Sequence, residues 1–307
     1  MPRVRDRKLA LLRPFIAPMF MNPISTRTKS RASCTLLFSI CIFTSFPDAT
    51  HADERKIVPH PLVAAQSGTL PIILSAPHGG TAKIPGVPER TGEGIERSGK
   101  GFAAVRDDGT EELAHEISNA IEQRLGKKPY SVIAGFHRRY IDANRPPDIA
   151  YEDAAAKPTY DAYHDTLRSF AREVHNTFGR GLVLDIHGQK VASDTIFRGT
   201  GNGRTVALLS KQFGIGAHAG PKSFFGLLGA AGCKVHPSDD GAEQPGLTGG
   251  FIVQTYGGAG HFGLDAIQLE FGADYRAKAN LKATAAKVAD AVAAFTKLYL
   301  PAEPMRQ

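Results

Sequence analysis

Short apolar runs alternating with longer segments of helical period constrain this chain more than any other feature. Four to eight apolar residues bounded by glycine, proline or polar residues match the length of a buried strand, and a strand apolar on both faces needs helices to cover it. The strand candidates are residues 71–76, 130–134, 181–186, 251–254 and 266–271. Between them, Leu113, Ile117, Ile121 and Leu125 form an i+4 ladder that starts after a capping Asp108 or Thr110 and closes at Gly126. A second helix is expected over 159–178, with Tyr163, Leu167, Phe170 and Val174 on one side, and a short one over 204–213. An alanine-rich helix should run from 278 to 300 and stop at Pro301. This pattern belongs to an α/β domain. Residues 188–263 are glycine-dense and read as loops, where substrate pockets form on a rigid scaffold.

At 307 residues the chain is long enough for one large core, so a single catalytic domain is expected over 53–307. The net charge of +7 suggests nucleic acid until its location is considered. Of 37 basic and 30 acidic residues, eight basic but only Asp6 and Asp48 among the acids fall in the first 52, which leaves the remainder nearly neutral and removes the case for nucleic acid. That basic stretch precedes the apolar run 32–46, short for a membrane span but the right length for a signal-peptide core, and Thr50-His51-Ala52 offers small residues for cleavage. Residues 1–52 therefore read as a signal peptide and leader, with Met19 or Met21 as alternative starts and a retained anchor as the other reading. A periplasmic or secreted protein follows, with no stable membrane span once the leader is removed. Cys34 and Cys41 would leave with the leader, and Cys233 alone cannot form an internal disulfide.

Four clusters carry potential chemistry. In Leu74-Ser75-Ala76-Pro77-His78-Gly79-Gly80 a histidine follows a strand end and two glycines permit close backbone approach. In Leu182-Val183-Leu184-Asp185-Ile186-His187-Gly188 the period of two puts Asp185 and His187 on one face of an emerging strand, as a metal ligand with its orienting carboxylate or as a structural pair. Glu270 ends the apolar run 266–271 and must meet a cation or a polar cleft, where it suits a general base; pairing with Arg276 is the other reading. His137-Arg138-Arg139-Tyr140-Ile141-Asp142-Ala143-Asn144-Arg145 brings three guanidinium groups together, as a clamp for an acidic substrate or as surface ion pairs with Asp142 and Asp148.

Taken in order, Pro77-His78-Gly79-Gly80, the 139–145 stretch, Asp185-Ile186-His187, Gly249-Gly250-Phe251-Ile252 and Ile267-Gln268-Leu269-Glu270 resemble the N-formylglutamate amidohydrolases over residues 70–298. The resemblance implies the phosphorylase/hydrolase-like fold of the zinc exopeptidases, a mixed, largely parallel sheet flanked by helices. It also implies one zinc per chain, held by His78, His187 and an acidic side chain, with Glu270 as the base. Glu111, at the start of the first helix, is the expected acidic ligand and Asp108 its competitor. By the same resemblance Arg139 polarises the scissile carbonyl, and Asn144 and Arg145 hold a substrate carboxylate. His164 contacts substrate or shuttles protons, unless it packs in the core. Where this family commonly has an arginine after its Gly-Gly-aromatic-Ile run, Val253-Gln254-Thr255 stands here, so the cation expected to meet the formylglutamate side chain is lost, and an N-formyl or other N-acyl amino acid is the implied substrate class.

The expected activity is zinc-dependent hydrolysis of a linear, non-peptide amide C–N bond in a small molecule or short peptide carrying a carboxylate. A metallocarboxypeptidase or a cell-wall or γ-glutamyl peptide hydrolase is the nearest alternative activity. A carboxylate-binding module without catalysis is the alternative of another kind.

Overall fold

The computed structural model describes residues 59–93, 101–258, 260 and 262–305. The leader expected over 1–52 lies outside the described residues. Seven strands form one sheet: β1 (Val63–Gln66), β2 (Ile72–Ala76), β3 (Tyr130–Ala134), β4 (Leu182–Gly188), β5 (Ile196–Gly199), β6 (Val235–His236) and β7 (Asp265–Phe271). Among the described residues nine α-helices accompany them: α1 (Thr110–Leu125), α2 (Pro147–Ala150), α3 (Lys157–Phe178), α4 (Ala207–Phe213), α5 (Gly216–Ala219), α6 (Phe224–Ala230), α7 (Phe251–Tyr256), α8 (Ala273–Arg276) and α9 (Leu281–Tyr299). The strand order is β1-β3-β2-β4-β7-β5-β6. The four central strands β3, β2, β4 and β7 run parallel, while β1 and β5 pair antiparallel with β3 and β7. The sheet is thus mixed and largely parallel, as expected.

The alternation of side chains across each strand divides the core into two layers. Ile72 and Leu74 of β2, Leu182 and Leu184 of β4 and Leu269 of β7 face α1, α6 and α9, whereas Ile73, Val132, Val183 and Ala266 face α3 and α7. Leu113, Ile117 and Ile121 on α1 are fully buried, each worth about 1.5–3 kcal/mol against exposure. The cap of α1 differs from expectation. Gly109 occupies the cap position without a side-chain bond, and Asp108 is exposed. Residues 251–254 are helical in α7, not a strand. Their β-branched and aromatic composition serves an amphipathic turn instead, with Ile252, Val253 and Tyr256 buried and Gln254 outward. Cys233 is buried and unpaired. Among the described residues no helix is long and apolar enough to cross a membrane.

Candidate functional site

Strand ends assemble the site. In the parallel β4–β7 pair, Asp185 lies opposite Gln268 and His187 opposite Glu270, so the period of two delivers all four side chains to one face at the carboxyl edge of the sheet. His78 arrives from two residues beyond β2, and the rings of His78 and His187 meet edge-on with centroids 4.8 Å apart. The third member of the group is Asp107. One ligand atom from each of His78, Asp107 and His187 lies within 4.8 Å of the others, and all three residues are buried or nearly so.

Each imidazole is oriented by a carboxylate. His78 Nε2 donates to Asp142 Oδ1 at 2.7 Å, and His187 Nε2 donates to Asp185 Oδ2 at 2.8 Å. Asp142 is itself held by Nε and Nη2 of Arg138 (3.0 and 2.7 Å) and by the Asn144 amide (3.1 Å), and Asp185 by the Ser75 hydroxyl (2.8 Å). With both Nε2 atoms occupied, both Nδ1 atoms turn to Asp107 Oδ2 at 3.4 Å, and His78 Nδ1 is buried without a hydrogen-bond partner. Two imidazole lone pairs and a carboxylate oxygen facing one another, each imidazole with a carboxylate behind it, form a donor set that fits a divalent cation.

The electrostatics agree. Burial would raise the Asp107 carboxyl, but its close polar contacts with His187 and His78 outweigh it and hold that acid well below its ordinary range. Burial would likewise lower His187, yet Asp185 and Asp107 raise it well above the ordinary imidazole value, so in the absence of a cation this surplus of carboxylates holds a proton. A metal ion would displace that proton. Burial pushes the Glu270 carboxyl up to about 7, with His187 and a 2.6 Å bond from Gln268 Nε2 opposing the rise.

The group opens into a cleft of about 550 Å³ lined by Glu270, Arg138, Asn144, Arg145, Phe251 and Gln254, among others. Asn144 closes one wall: its Oδ1 accepts from the Ile252 amide at 2.8 Å, fixing the start of α7, and a Cβ on Gly250 would stand 2.3 Å from its Nδ2. The Arg145 guanidinium reaches carbonyls of Gly101 and Asn144 and among the described residues has no carboxylate bonded to it, so it offers its charge to a substrate anion.

Several expected roles move to neighbouring residues. The acidic member is Asp107, not Glu111 or Asp108: Glu111 sits half-buried in the first turn of α1, where its backbone packs against Gly79, and Asp108 points outward to Arg106 at 2.7 Å. Gly79 therefore admits the backbone of α1, which would stand 2.2 Å from a Cβ, not a bound ion. Arg139 turns to Glu89 at 3.0 Å on the surface, and Arg138 takes the place in the cleft. His164 does not line the cleft. It lies among Tyr160, Tyr163, Phe251 and Tyr256 and donates through Nε2 to the Ala143 carbonyl at 2.9 Å, bracing the turn beneath Asn144. Asp142, expected only as a surface ion-pair partner of the arginines, is buried between Arg138 and His78, and Gln268, given no role from sequence, completes the arrangement.

Neither a family model nor a curated protein sequence matches the chain. Among solved structures it is similar to an N-formylglutamate amidohydrolase from Ralstonia eutropha JMP134, at 15% identity over 77% of this chain and 98% of that one with a TM-score of 0.50. An N-acetylmuramyl-L-alanine amidase from Mycobacterium smegmatis aligns at 12% identity over 74% of this chain and 96% of that one, with a TM-score of 0.34. At such identities the first likeness establishes a common α/β fold.

Proposed function

We propose that this chain is an exported, zinc-dependent amidohydrolase acting on an N-acyl amino acid or a related amide that carries a carboxylate. The observation that supports it most is the convergence of His78, Asp107 and His187, each imidazole backed by its own carboxylate, beside the buried Glu270 in an open cleft. Zinc bound there would supply a Lewis acid that activates water and polarises the scissile carbonyl. Glu270, raised to about 7, is poised to take a proton from water and return it to the leaving nitrogen. Gln268 keeps one Glu270 oxygen fixed and leaves the other for that exchange. Arg138 has two of its nitrogens on Asp142, while Nη1 stands 3.7 Å from Asp107 and faces the cleft, a fixed donor for a developing oxyanion. Arg145 and Asn144 would seat the substrate carboxylate. Export rests on the basic and apolar leader of residues 1–52, and a mature N-terminus at Asp53, read by mass spectrometry of the secreted protein, would test it.

The decisive experiment measures zinc content and amine release from a panel of N-acyl amino acids with and without chelator. About one zinc per chain and chelator-sensitive turnover are expected. Glu270→Gln should keep the zinc and lose turnover by about 10²–10⁴-fold, the usual worth of a general base. A protein that binds no zinc, or a variant of undiminished activity, overturns the reading.

A further inference from the structure

We infer that the protein has a second, anion-binding subsite that takes the acyl portion of its substrate, selecting acyl chains that end in a carboxylate. This rests on the amide-hydrolase reading above and narrows its substrate class to amides with a carboxylate on each side of the scissile bond.

A separate cavity of about 270 Å³ meets the main cleft at Asp107, Arg138 and Gly188, and it is walled by Val105, Arg106, Asp108, Lys190 and Arg276. The charges here do not cancel. Arg106 is matched by Asp108 at 2.7 Å and Arg138 by Asp142 at 2.7 Å, while Asp107 turns one oxygen to the two imidazoles. Lys190 and Arg276 remain. Among the described residues Lys190 has no bonded partner, and Arg276 reaches only backbone oxygens, those of Phe271 (3.0 Å), Gln189 (3.2 Å) and Asp108. These carbonyls hold the guanidinium flat against Gly188, where a Cβ would stand 2.7 Å from its Cζ. Four cations thus line the cavity against the two carboxylates of Asp107 and Asp108, and the excess, a fixed half-buried guanidinium and an ammonium without a bonded partner among the described residues, forms a receptor for an anion; a planar carboxylate suits the guanidinium's unused N–H groups.

The mouth adds an apolar requirement. Val105 is 62% exposed on the wall. A bare valine beside the two cations suits a short methylene chain that leads from the reacting carbonyl to a terminal carboxylate. The main cleft has its own uncommitted cation in Arg145. One substrate spanning both spaces would place its amide at Asp107, Arg138 and Gly188, the residues common to the two. A formyl group is too small to reach Lys190, so a one-carbon acyl leaves the second cavity to water.

Three amides of one amino acid test this: N-succinyl, N-butanoyl, which has the same chain length without the charge, and N-formyl. The wild-type zinc protein should show kcat/KM about 10-fold higher for succinyl than for butanoyl, a ratio worth about 1.4 kcal/mol. That ratio should shrink between 50 and 300 mM salt as screening weakens the exposed cations. Lys190→Glu, at an exposed position without a partner, should bring it to about unity or below. Calorimetric binding of the succinyl and butanoyl compounds to zinc-loaded Glu270→Gln should show the same preference without turnover. A ratio near unity in the wild type, or a preference untouched by Lys190→Glu, overturns the subsite. Absence of amine release from all three amides would overturn the hydrolase reading instead, and the binding preference would still decide the subsite.

Discussion

Replacing His164 with glutamine should abolish a pH-dependent part of the protein's stability that is large enough to measure. His164 is 4% exposed, and burial lowers its imidazole from the ordinary 6.5 to about 4, the bond to the Ala143 carbonyl only partly opposing the drop. Arg168 on the next turn adds to the fall, and Asp185 and Asp165 work against it. A folded-state value below the unfolded one means that the neutral form is the stable one: the contribution is fully present above about pH 6.5 and is lost as pH falls toward 4. A difference of about 2.5 units at 1.36 kcal/mol each amounts to about 3 kcal/mol. His218, also lowered to about 4 by burial, titrates in the same window, so only the difference between wild type and variant isolates His164. The chain has no tryptophan, and urea unfolding is best followed by far-ultraviolet circular dichroism at pH 7.5 and 4.5. Glutamine cannot titrate, so whatever it costs at pH 7.5 should shrink by about 2–3 kcal/mol at pH 4.5. Parallel pH profiles for the two proteins would refute the reasoning and show that His164 is protonated, or solvated, in the fold.

Further predictions concern the cleft. Asp142→Asn and Asp185→Asn each remove a carboxylate that orients an imidazole and should weaken zinc binding about 10–100-fold in chelator competition; unchanged affinity would detach these acids from the metal group. Arg139→Ala should leave kcat within about twofold, because its surface pair with Glu89 is worth at most ~1 kcal/mol, whereas Arg138→Lys should cost about 10²-fold in kcat; equal effects would deny the distinction between the two arginines. Gly250→Ala should drive Asn144 off the Ile252 amide, lowering stability by about 1–3 kcal/mol in urea and raising KM together, and a variant with wild-type KM would show that the wall tolerates the methyl.

What was legible in the sequence and what was not divide along a physical line. His78, His187 and Glu270 stand at the ends of apolar runs, and strand ends in an α/β sheet share one edge whatever the loops do. Four of the five strand candidates are strands for the same reason; β1, β5 and β6 escaped because two to four residues carry no readable period, the latter two inside a glycine-dense stretch. Asp107 and Glu111 differ by one turn of chain at a loop-to-helix junction. The residue that reaches the histidines there is decided by how Gly79 lets α1 approach, a contact between segments far apart in sequence. Arg138 and Arg139 present the same problem, since adjacent arginines in a turn have no periodicity to say which faces inward. Residues 251–254 failed for a different cause: their β propensity yielded to a capping bond from Asn144, more than a hundred positions away.

The placement of Glu270 beside His187 and its neighbours His78 and Asp107 follows from strand pairing and is not adjustable residue by residue. Because side chains alternate, sliding β7 by one position against β4 would turn Glu270 and Gln268 to the α1 face and bring Leu269 opposite His187. Asp185, His187, Gln268 and Glu270 are therefore fixed as a set by the apolar residues between them, Ile186 and Leu269, which are fully buried in the other layer of the core. The loops attach to this set through Gln268, whose Oε1 accepts from the Gly250 amide at 2.7 Å while its Nε2 donates to Glu270 at 2.6 Å. One amide thus joins the wall of the cleft to Glu270, and its orientation is forced, because the Gly250 N–H can be met only by the oxygen. The geometry of this group is in this sense a property of the sheet, and the glycine-dense segments that fold over it are left to determine what the cleft admits.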